Sequence, residues 1–221
     1  MGSGGIPAAV AWSGGKDSTL ALLRVRDRGL RVTHLFNLYE GSTGLVRFHG
    51  VPARWIARQA EALGLELVQE GVDERGFAAA FQVALDRLKR AGVGTTAFGN
   101  IHLRDVSDWY RMHTTKAGFR HEEPLWDEDP GALAREFLER GGRTVITSVN
   151  LELGDPAWLG RELDGALLAE LADRKGVDVA GERGEYHSFV LDAPGFAYSL
   201  EPRFACEREL DGHRFLEFAR P

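Results

Sequence analysis

The sequence predicts an α/β fold: a doubly wound parallel sheet with a smaller C-terminal α+β region. Three observations predict it. Short apolar runs alternate with amphipathic helical segments over residues 1–120, and strands alternating with helices pair in parallel through right-handed crossovers. The first three helical segments each stop at a glycine: Gly29, Gly64 and Gly92. The first apolar run ends in Ser13-Gly14-Gly15-Lys16-Asp17-Ser18, a turn at the carboxyl end of a strand, where open α/β sheets take their ligands.

Ile6–Trp12 reads as the first strand, and Asp17–Arg28 as the first helix. Arg31–Leu38 is the second strand. Residues 53–63 form the next helix, with Ile56, Ala60 and Leu63 on one face. Glu66–Gln69 is a strand. Phe77, Phe81, Ala84, Leu85 and Leu88 then make an apolar stripe at helical spacing. Thr95–Phe98 is a strand, and a helix over 103–117 carries Val106, Trp109 and Tyr110. The second half reads as a helix over 131–140, a strand over 144–149, a helix over 163–172, and strand-like pieces at Ser188–Leu191 and Phe196–Leu200. The chain divides near residue 121 into a nucleotide-binding region, 1–120, and a substrate-binding region, 121–221.

Composition narrows the function. Hydrophobic residues are 43% and charged ones 27%, a soluble globular balance. The formal charge is -6, from 33 acids against 27 bases, which gives no strong signal for nucleic-acid binding. The single cysteine, Cys206, permits no intrachain disulfide and no cysteine-based zinc site. No apolar run approaches a membrane span, and the start, Met1-Gly2-Ser3-Gly4-Gly5, is polar and unlike a signal peptide. The expectation is a cytoplasmic protein, with a homodimer left open.

The Ser13–Ser18 turn carries the chemistry. A glycine turn running into a helix aims several backbone N–H groups at one spot, at the positive end of the helix dipole. Ser13, Gly14, Gly15, Lys16, Asp17 and Ser18 are therefore expected to cradle phosphate, with hydroxyl donors from Ser13 and Ser18. Asp17 is positioned to cap the helix or to sit near a metal ion. The spacing is not that of a Walker loop. The pattern resembles the pyrophosphate loop of the ATP pyrophosphatases, the PP-loop family, which implies cleavage of ATP to AMP and pyrophosphate.

A second constellation lies in Gly181-Glu182-Arg183-Gly184-Glu185-Tyr186-His187-Ser188. In a strand after Gly184, Glu185 and His187 would share a face, a carboxylate beside an imidazole. Together the two motifs, SGGKDS early and GExGEYHSFVxDxPxF late, resemble the diphthine–ammonia ligase family. Phe48-His49-Gly50-Val51-Pro52, Phe98-Gly99-Asn100-Ile101 with Asp105, Glu123-Pro124-Leu125-Trp126 and Leu159-Gly160-Arg161 resemble further segments of that family, so the likeness spans roughly residues 7–196.

The resemblance implies a HUP-type sheet of order 3-2-1-4-5 and an ATP-dependent, amide-forming reaction. A carboxylate is adenylated, pyrophosphate leaves, and ammonia displaces AMP. It implies ATP and Mg²⁺, with Asp17 as catalytic residue and metal ligand. It places His49, Gly99 and Asn100 at the nucleotide, Glu182, Arg183, Glu185 and His187 at the acceptor, and Glu185 and His187 in catalysis. Three residues depart from the family pattern: Asn100 replaces an aspartate, Ala180 a cysteine and Arg183 an asparagine. These leave the acceptor unnamed. Two other readings are a PP-loop tRNA-modifying enzyme and a non-catalytic HUP-type nucleotide-binding protein. Arg47, His102 and Asp105 lie on the expected ligand side, His34 reads as structural, and Trp12 and Trp126 read as core.

Overall fold

A computed structural model describes residues 5–219; Met1-Gly2-Ser3-Gly4 of the polar start and the last two residues lie outside the described residues. The elements are β1 (Ala8–Ala11), α1 (Lys16–Asp27), β2 (Val32–Glu40), β3 (Leu45–Val46), β4 (Val51–Pro52), α2 (Ala53–Leu63) and β5 (Glu66–Val72). Then come α3 (Phe77–Arg90), β6 (Thr95–Ala97), α4 (Arg104–Lys116), β7 (Arg120–Glu122), α5 (Pro130–Glu139) and β8 (Arg143–Asn150). The last are α6 (Gly165–Asp173), β9 (Tyr186–Asp192), β10 (Phe204–Leu210) and β11 (His213–Phe218).

The parallel strands pair in the order β5-β2-β1-β6-β7. Numbered along the chain, these are strands 3-2-1-4-5, the doubly wound order that the motifs implied. The order reverses beside β1, and the Ser13–Ser18 turn leaves the carboxyl end of β1 at that crevice. Helix α2 ends at Gly64 in the left-handed conformation, φ 63°. The first four parallel strands and the helices between them fall where the sequence placed them, whereas β7 and the short β3 and β4 were not among its strands. Among the described residues, no helix is long and apolar enough to cross a membrane.

A second, antiparallel sheet has the order β10-β11-β8-β9. It does not stand apart. Val10, Trp12, Leu22 and Val25 share one core with Val145, Phe189, Leu216 and Phe218. Arg24 of α1 ties α5 down as well, donating to Glu136 at 3.2 Å, Glu128 at 2.9 Å and the Pro124 carbonyl at 3.0 Å.

Two expectations need correction. Phe196–Leu200 is not a strand. The Pro194-Gly195 turn throws the segment across the surface of α2, where Ala197 N–H reaches the Ala62 carbonyl and Leu200 N–H the Leu191 carbonyl, both at 2.7 Å. Two bonds to two different elements make a strap, not a ladder. The tail instead forms the β10–β11 hairpin. Trp126 is only half-buried, with the Arg104 guanidinium 5.9 Å from its ring centroid, whereas Trp12 is core.

The seam between the sheets is fixed by Gln59 on α2, a fully buried amide. Its Oε1 accepts the Trp12 indole N–H at 2.8 Å, and its Nε2 donates to the carbonyls of Gly14 at 3.0 Å and Val190 at 2.8 Å. Gln59→Leu keeps the volume but orphans the Trp12 N–H and the Val190 carbonyl. The expected loss is about 3 kcal/mol, read as a fall in the urea unfolding midpoint. An unchanged midpoint would show that the amide does not hold the seam.

Candidate active site

A cavity of about 550 Å³ opens at the carboxyl end of β1. One side is the phosphate loop; another is apolar, with Phe36, Leu38, Phe77, Phe81, Phe98, Leu103, Val106 and Tyr110; the rest comes from His49 and the late segment 180–188. The two motifs, far apart in the chain, therefore meet in one space.

The loop is held from both sides. Gly14, at φ 85°, has no room for a side chain: a Cβ would lie 2.6 Å from Ile56 Cδ1. The Gly14 carbonyl accepts the Val190 N–H of β9 at 2.8 Å. Ser13 Oγ accepts the Gly15 N–H at 3.3 Å, and Ser18 Oγ donates to the Gly15 carbonyl at 2.9 Å. Gly99 packs on the first turn of α1, so close that a Cβ there would lie 2.8 Å from the Asp17 backbone. The turn is thus seated on the first turn of α1, with the Gly15 N–H shared with Ser13 and the Lys16 N–H 3.5 Å from Ser188 Oγ of β9.

Lys16 points inward. Its buried ammonium lies 2.9 Å from Asp17 Oδ2, bonds to the Ala180 carbonyl, and sits 5.2 Å from the centroid of the Tyr186 ring. Burial works against its charge, but Asp17 and the neighbouring acids outweigh that, and the ammonium is held above the usual lysine range. It is a clamp between loop and late segment. Asp17 keeps 28% of its side-chain surface open; burial pushes its carboxyl up, against the pull of Lys16.

Glu182 also lines the cavity. Its Oε1 accepts the Ile101 N–H at 3.0 Å, and burial with the nearby charge of Asp17 pushes its carboxyl up to about 7. His187 and His49 stand 4.6 Å apart, centroid to centroid. Burial takes His49 down to about 4 and His187 well below the usual imidazole range, so both are neutral at pH 7.

Glu185 and His187 do not meet as a pair at the cavity. β9 begins only at Tyr186, and the Glu185 carboxylate turns into the preceding loop, where it accepts the Asp178 N–H at 2.7 Å. It is 1% exposed and does not line the cavity. Within that loop the Ala180 N–H goes in turn to Asp178 Oδ1 at 2.8 Å. Arg183 is exposed and also lies off the cavity wall. Asp105 and Arg47 are exposed, with Arg47 at the cavity rim. His102 lies 3.2 Å from Asp178, and His34 bonds Thr33 on β2.

The departures at 100 and 180 acquire physical meaning. Asn100 Nδ2 donates to Glu123 Oε1 at 2.7 Å. Glu123, 2% exposed, also accepts from Ser107 at 2.7 Å and Arg111 at 2.6 Å, and His121 lies 3.4 Å away. Burial pushes this carboxyl up, yet the bonds from His121, Ser107 and Asn100 prevail and hold it at about 2. At 180 the group used is the backbone carbonyl; the Ala180 methyl is buried beside Leu20 and Ile101.

Sequence reasoning missed Gln59, Glu123 and the aromatic wall. Gln59 carried a signal, a polar residue inside the stripe Ile56, Ala60, Leu63. Glu123 stood in the family-like segment 123–126, but its role as a buried acceptor was hidden, because its partners come from α4, β7 and the turn at Asn100.

Loop, sheet order and cavity define a nucleotide-binding α/β protein of the PP-loop class. Family profiles for the diphthamide synthase N-terminal domain match residues 6–121 and for its C-terminal domain residues 129–216, and the chain belongs to this family. It is 27% identical to the diphthine–ammonia ligase of Danio rerio over 211 residues, covering 83% of this chain and 81% of that protein. It is 27% identical to the Homo sapiens diphthine–ammonia ligase over 215 residues, covering 83% and 78%. Among solved structures it aligns with the U34-tRNA thiolase NcsA of Methanococcus maripaludis at TM-score 0.41 and 17% identity, covering 62% of this chain and 58% of that one.

Glu123 gives the fold an acid-sensitive component. Its folded value, about 2, lies below the usual carboxylate value, so the stability it adds is complete above about pH 4.5 and is lost as pH falls toward 2. Glu123→Gln should lower stability at neutral pH and flatten that acid limb in unfolding experiments between pH 5 and 2. A limb of unchanged slope would assign the acid sensitivity to other carboxylates.

Proposed function

We propose that the protein is an ATP-dependent amide-forming ligase that adenylates an acceptor carboxylate, releases pyrophosphate and transfers ammonia. One observation carries the reading: the Ser13–Ser18 glycine turn and the Glu182 carboxylate, which burial and the nearby Asp17 push up to about 7, face the same cavity. The named activity of the family relatives supports it.

Adenine fits the aromatic wall of Phe36, Phe81, Phe98 and Tyr110, and the triphosphate lies over the N–H groups at the start of α1. Residues 121–221 supply the acceptor side through β9 and the loop before it. The acceptor carboxylate oxygen attacks the α-phosphorus, and the bond to pyrophosphate breaks. Ammonia then attacks the acyl carbon, the bond to AMP breaks, and the nitrogen gives up its extra proton. Glu182 receives that proton, in place of the Glu185 and His187 expected from sequence. A base near neutrality suits this role, because it is half ionised at working pH and still holds a proton once it has one. Neutral His187 and His49 add no positive charge to repel ammonium at the entrance.

Mg²⁺ fits the residues present. Among the described residues no three His, Cys, Asp or Glu side chains gather to hold a metal. One open carboxylate, Asp17, beside bound phosphates is the setting Mg²⁺ prefers, with water completing its shell. Bound there, it would neutralise phosphate charge as pyrophosphate departs. No cysteine lines the cavity, so thiol transfer has no candidate group. Diphthine, the acceptor in the relatives' names, is the first to test.

The protein with ATP, ammonium and a diphthine-bearing acceptor should yield AMP, pyrophosphate and the amide. Glu182→Gln should slow turnover about 10²-fold or more with ATP affinity unchanged. With free ammonia held constant, the wild-type rate should rise through about pH 7 and level off, and the variant should lose that rise. Full turnover in the variant removes Glu182 as base; no AMP with any carboxylate acceptor removes the ligase reading.

A further inference from the structure

A triphosphate brings several negative charges to the Ser13–Ser18 turn, and few cations stand ready to meet them. Among the described residues, the lysines and arginines on the cavity wall are Lys16 and Arg47. Lys16 is committed: its ammonium lies 2.9 Å from Asp17 Oδ2 and bonds the Ala180 carbonyl. The His49 and His187 rings are neutral at pH 7, with burial taking His49 down to about 4. The acids Asp17 and Glu182 line the same cavity. Among the described residues of that wall, Arg47 is therefore the cation with charge to offer.

Its place in the fold suits phosphate rather than base. Successive residues of a strand face opposite sides of the sheet. Ala9 and Phe36 pack with Phe81 and Phe98 on the side of α3, whereas Val10 and Leu35 pack with Val46, Val51 and Ile56 on the side of α2. The aromatic wall rises from the first side. Arg47 follows Val46 and so stems from the second. The Ser13–Ser18 turn leaves β1 between them. A nucleotide with its base on the aromatic wall and its α-phosphate over that turn directs its outer phosphates toward the Arg47 side.

The turn at 46–50 brings Arg47 there. The His49 N–H bonds the Arg47 carbonyl at 2.8 Å, and the Gly50 N–H bonds the Val46 carbonyl at 3.1 Å. Phe48 between them is left-handed, φ 63°, a conformation bulky residues rarely adopt. Such a residue persists where its surroundings over-determine it, and such residues gather at ligand clamps. The surroundings here are firm. Thr147 Oγ1 donates to the His49 carbonyl at 3.0 Å, His49 Nδ1 lies 3.2 Å from the Ser188 carbonyl oxygen, and a Cβ on Gly15 would lie 3.2 Å from His49 Cε1. Two residues from that contact, the Arg47 guanidinium is lightly held. It rests 5.1 Å from the Phe48 ring centroid and 3.4 Å from Glu40 Oε1, in a pair open to water. A phosphate gives the planar fork two oxygens and more charge than one exposed carboxylate does.

We infer that Arg47 exchanges Glu40 for the β- and γ-phosphates of ATP and carries the charge of the departing pyrophosphate. As the acceptor oxygen bonds the α-phosphorus, the bond from that phosphorus to the bridging oxygen breaks, and its electron pair stays with pyrophosphate. Arg47 meets that growing charge from the rim. The phosphate contact needs only nucleotide binding; the role at the departing group rests on the ligase reading.

The test separates contact from scaffold. AMP and α,β-methylene-ATP, which cannot lose pyrophosphate, are titrated calorimetrically into the wild type and three variants. Arg47 is exposed, so its variants keep the fold. Arg47→Ala should weaken the methylene analogue about tenfold or more and leave AMP within about twofold, because one charge-assisted contact at the outer phosphates is lost. Arg47→Lys, which keeps the charge without the fork, should fall between. Glu40→Gln should leave the analogue unchanged or tighter, since it releases the guanidinium. A purely structural Arg47–Glu40 pair would instead make Glu40→Gln as damaging as Arg47→Ala. Unchanged analogue affinity in Arg47→Ala, an equal loss for AMP, or weakening by Glu40→Gln would each overturn the inference. In turnover at saturating ATP, Arg47→Ala should also lower kcat about tenfold or more; an unchanged kcat would overturn the role at the departing group. Failure of the ligase reading shows elsewhere, as absence of AMP formation by a wild type that still holds the analogue through Arg47.

Discussion

Everything at the site depends on how the Gly14 carbonyl is held. A phosphate loop must spend its N–H groups on the ligand, so its carbonyls need partners behind it. Here Gly14 takes two, the Val190 N–H of the second sheet and the Gln59 amide of α2. Gln59 in turn satisfies Val190 and Trp12. One side chain thereby joins the first strand, the loop and β9. Because its partners are buried, the arrangement is close to all-or-none: loss of the amide leaves several polar groups without water or protein to bond.

Charge follows the same logic. Lys16 is placed where a free phosphate ligand would be expected, yet its bonds go to Asp17 and the Ala180 carbonyl. It closes the loop onto the late segment. Burial, and after it the neighbouring Asp17, raises Glu182 to about 7. Lys16, Asp17 and Glu182 are parts of one electrostatic arrangement.

The parallel sheet was legible because its signals are local: period, glycine stops and the turn at Ser13–Ser18. The β10–β11 hairpin was legible in principle and overlooked. Asp211-Gly212 between alternating runs is a two-residue hairpin turn, and both residues have positive φ, 49° and 75°. The charges of Cys-Glu-Arg-Glu-Leu hid the alternation, since every residue of β10 is exposed. Phe196–Leu200 misled for the opposite reason: its apolar residues pack on the core without a partner strand. At the site, residue identity predicted membership but not orientation. Glu182 and Glu185 have the same side chain three residues apart, and only the folded loop decides that one lines the cavity and the other braces Asp178.

That distinction bears on the departures from the family pattern. A substitution matters by the atom the site uses. At 180 that atom is a backbone carbonyl, so a buried methyl in place of a thiol leaves the Lys16 clamp whole. At 183 the side chain is exposed and off the wall of the nucleotide cavity, so the charge there does not enter it. At 100 the side chain itself is used, and its amide donates to Glu123. A carboxylate at 100 would face Glu123 across the same 2.7 Å and expel one charge or the other. Asn100 is therefore matched to Glu123, and the pair fixes the Gly99 turn against the first turn of α1, where the phosphate loop begins its helix.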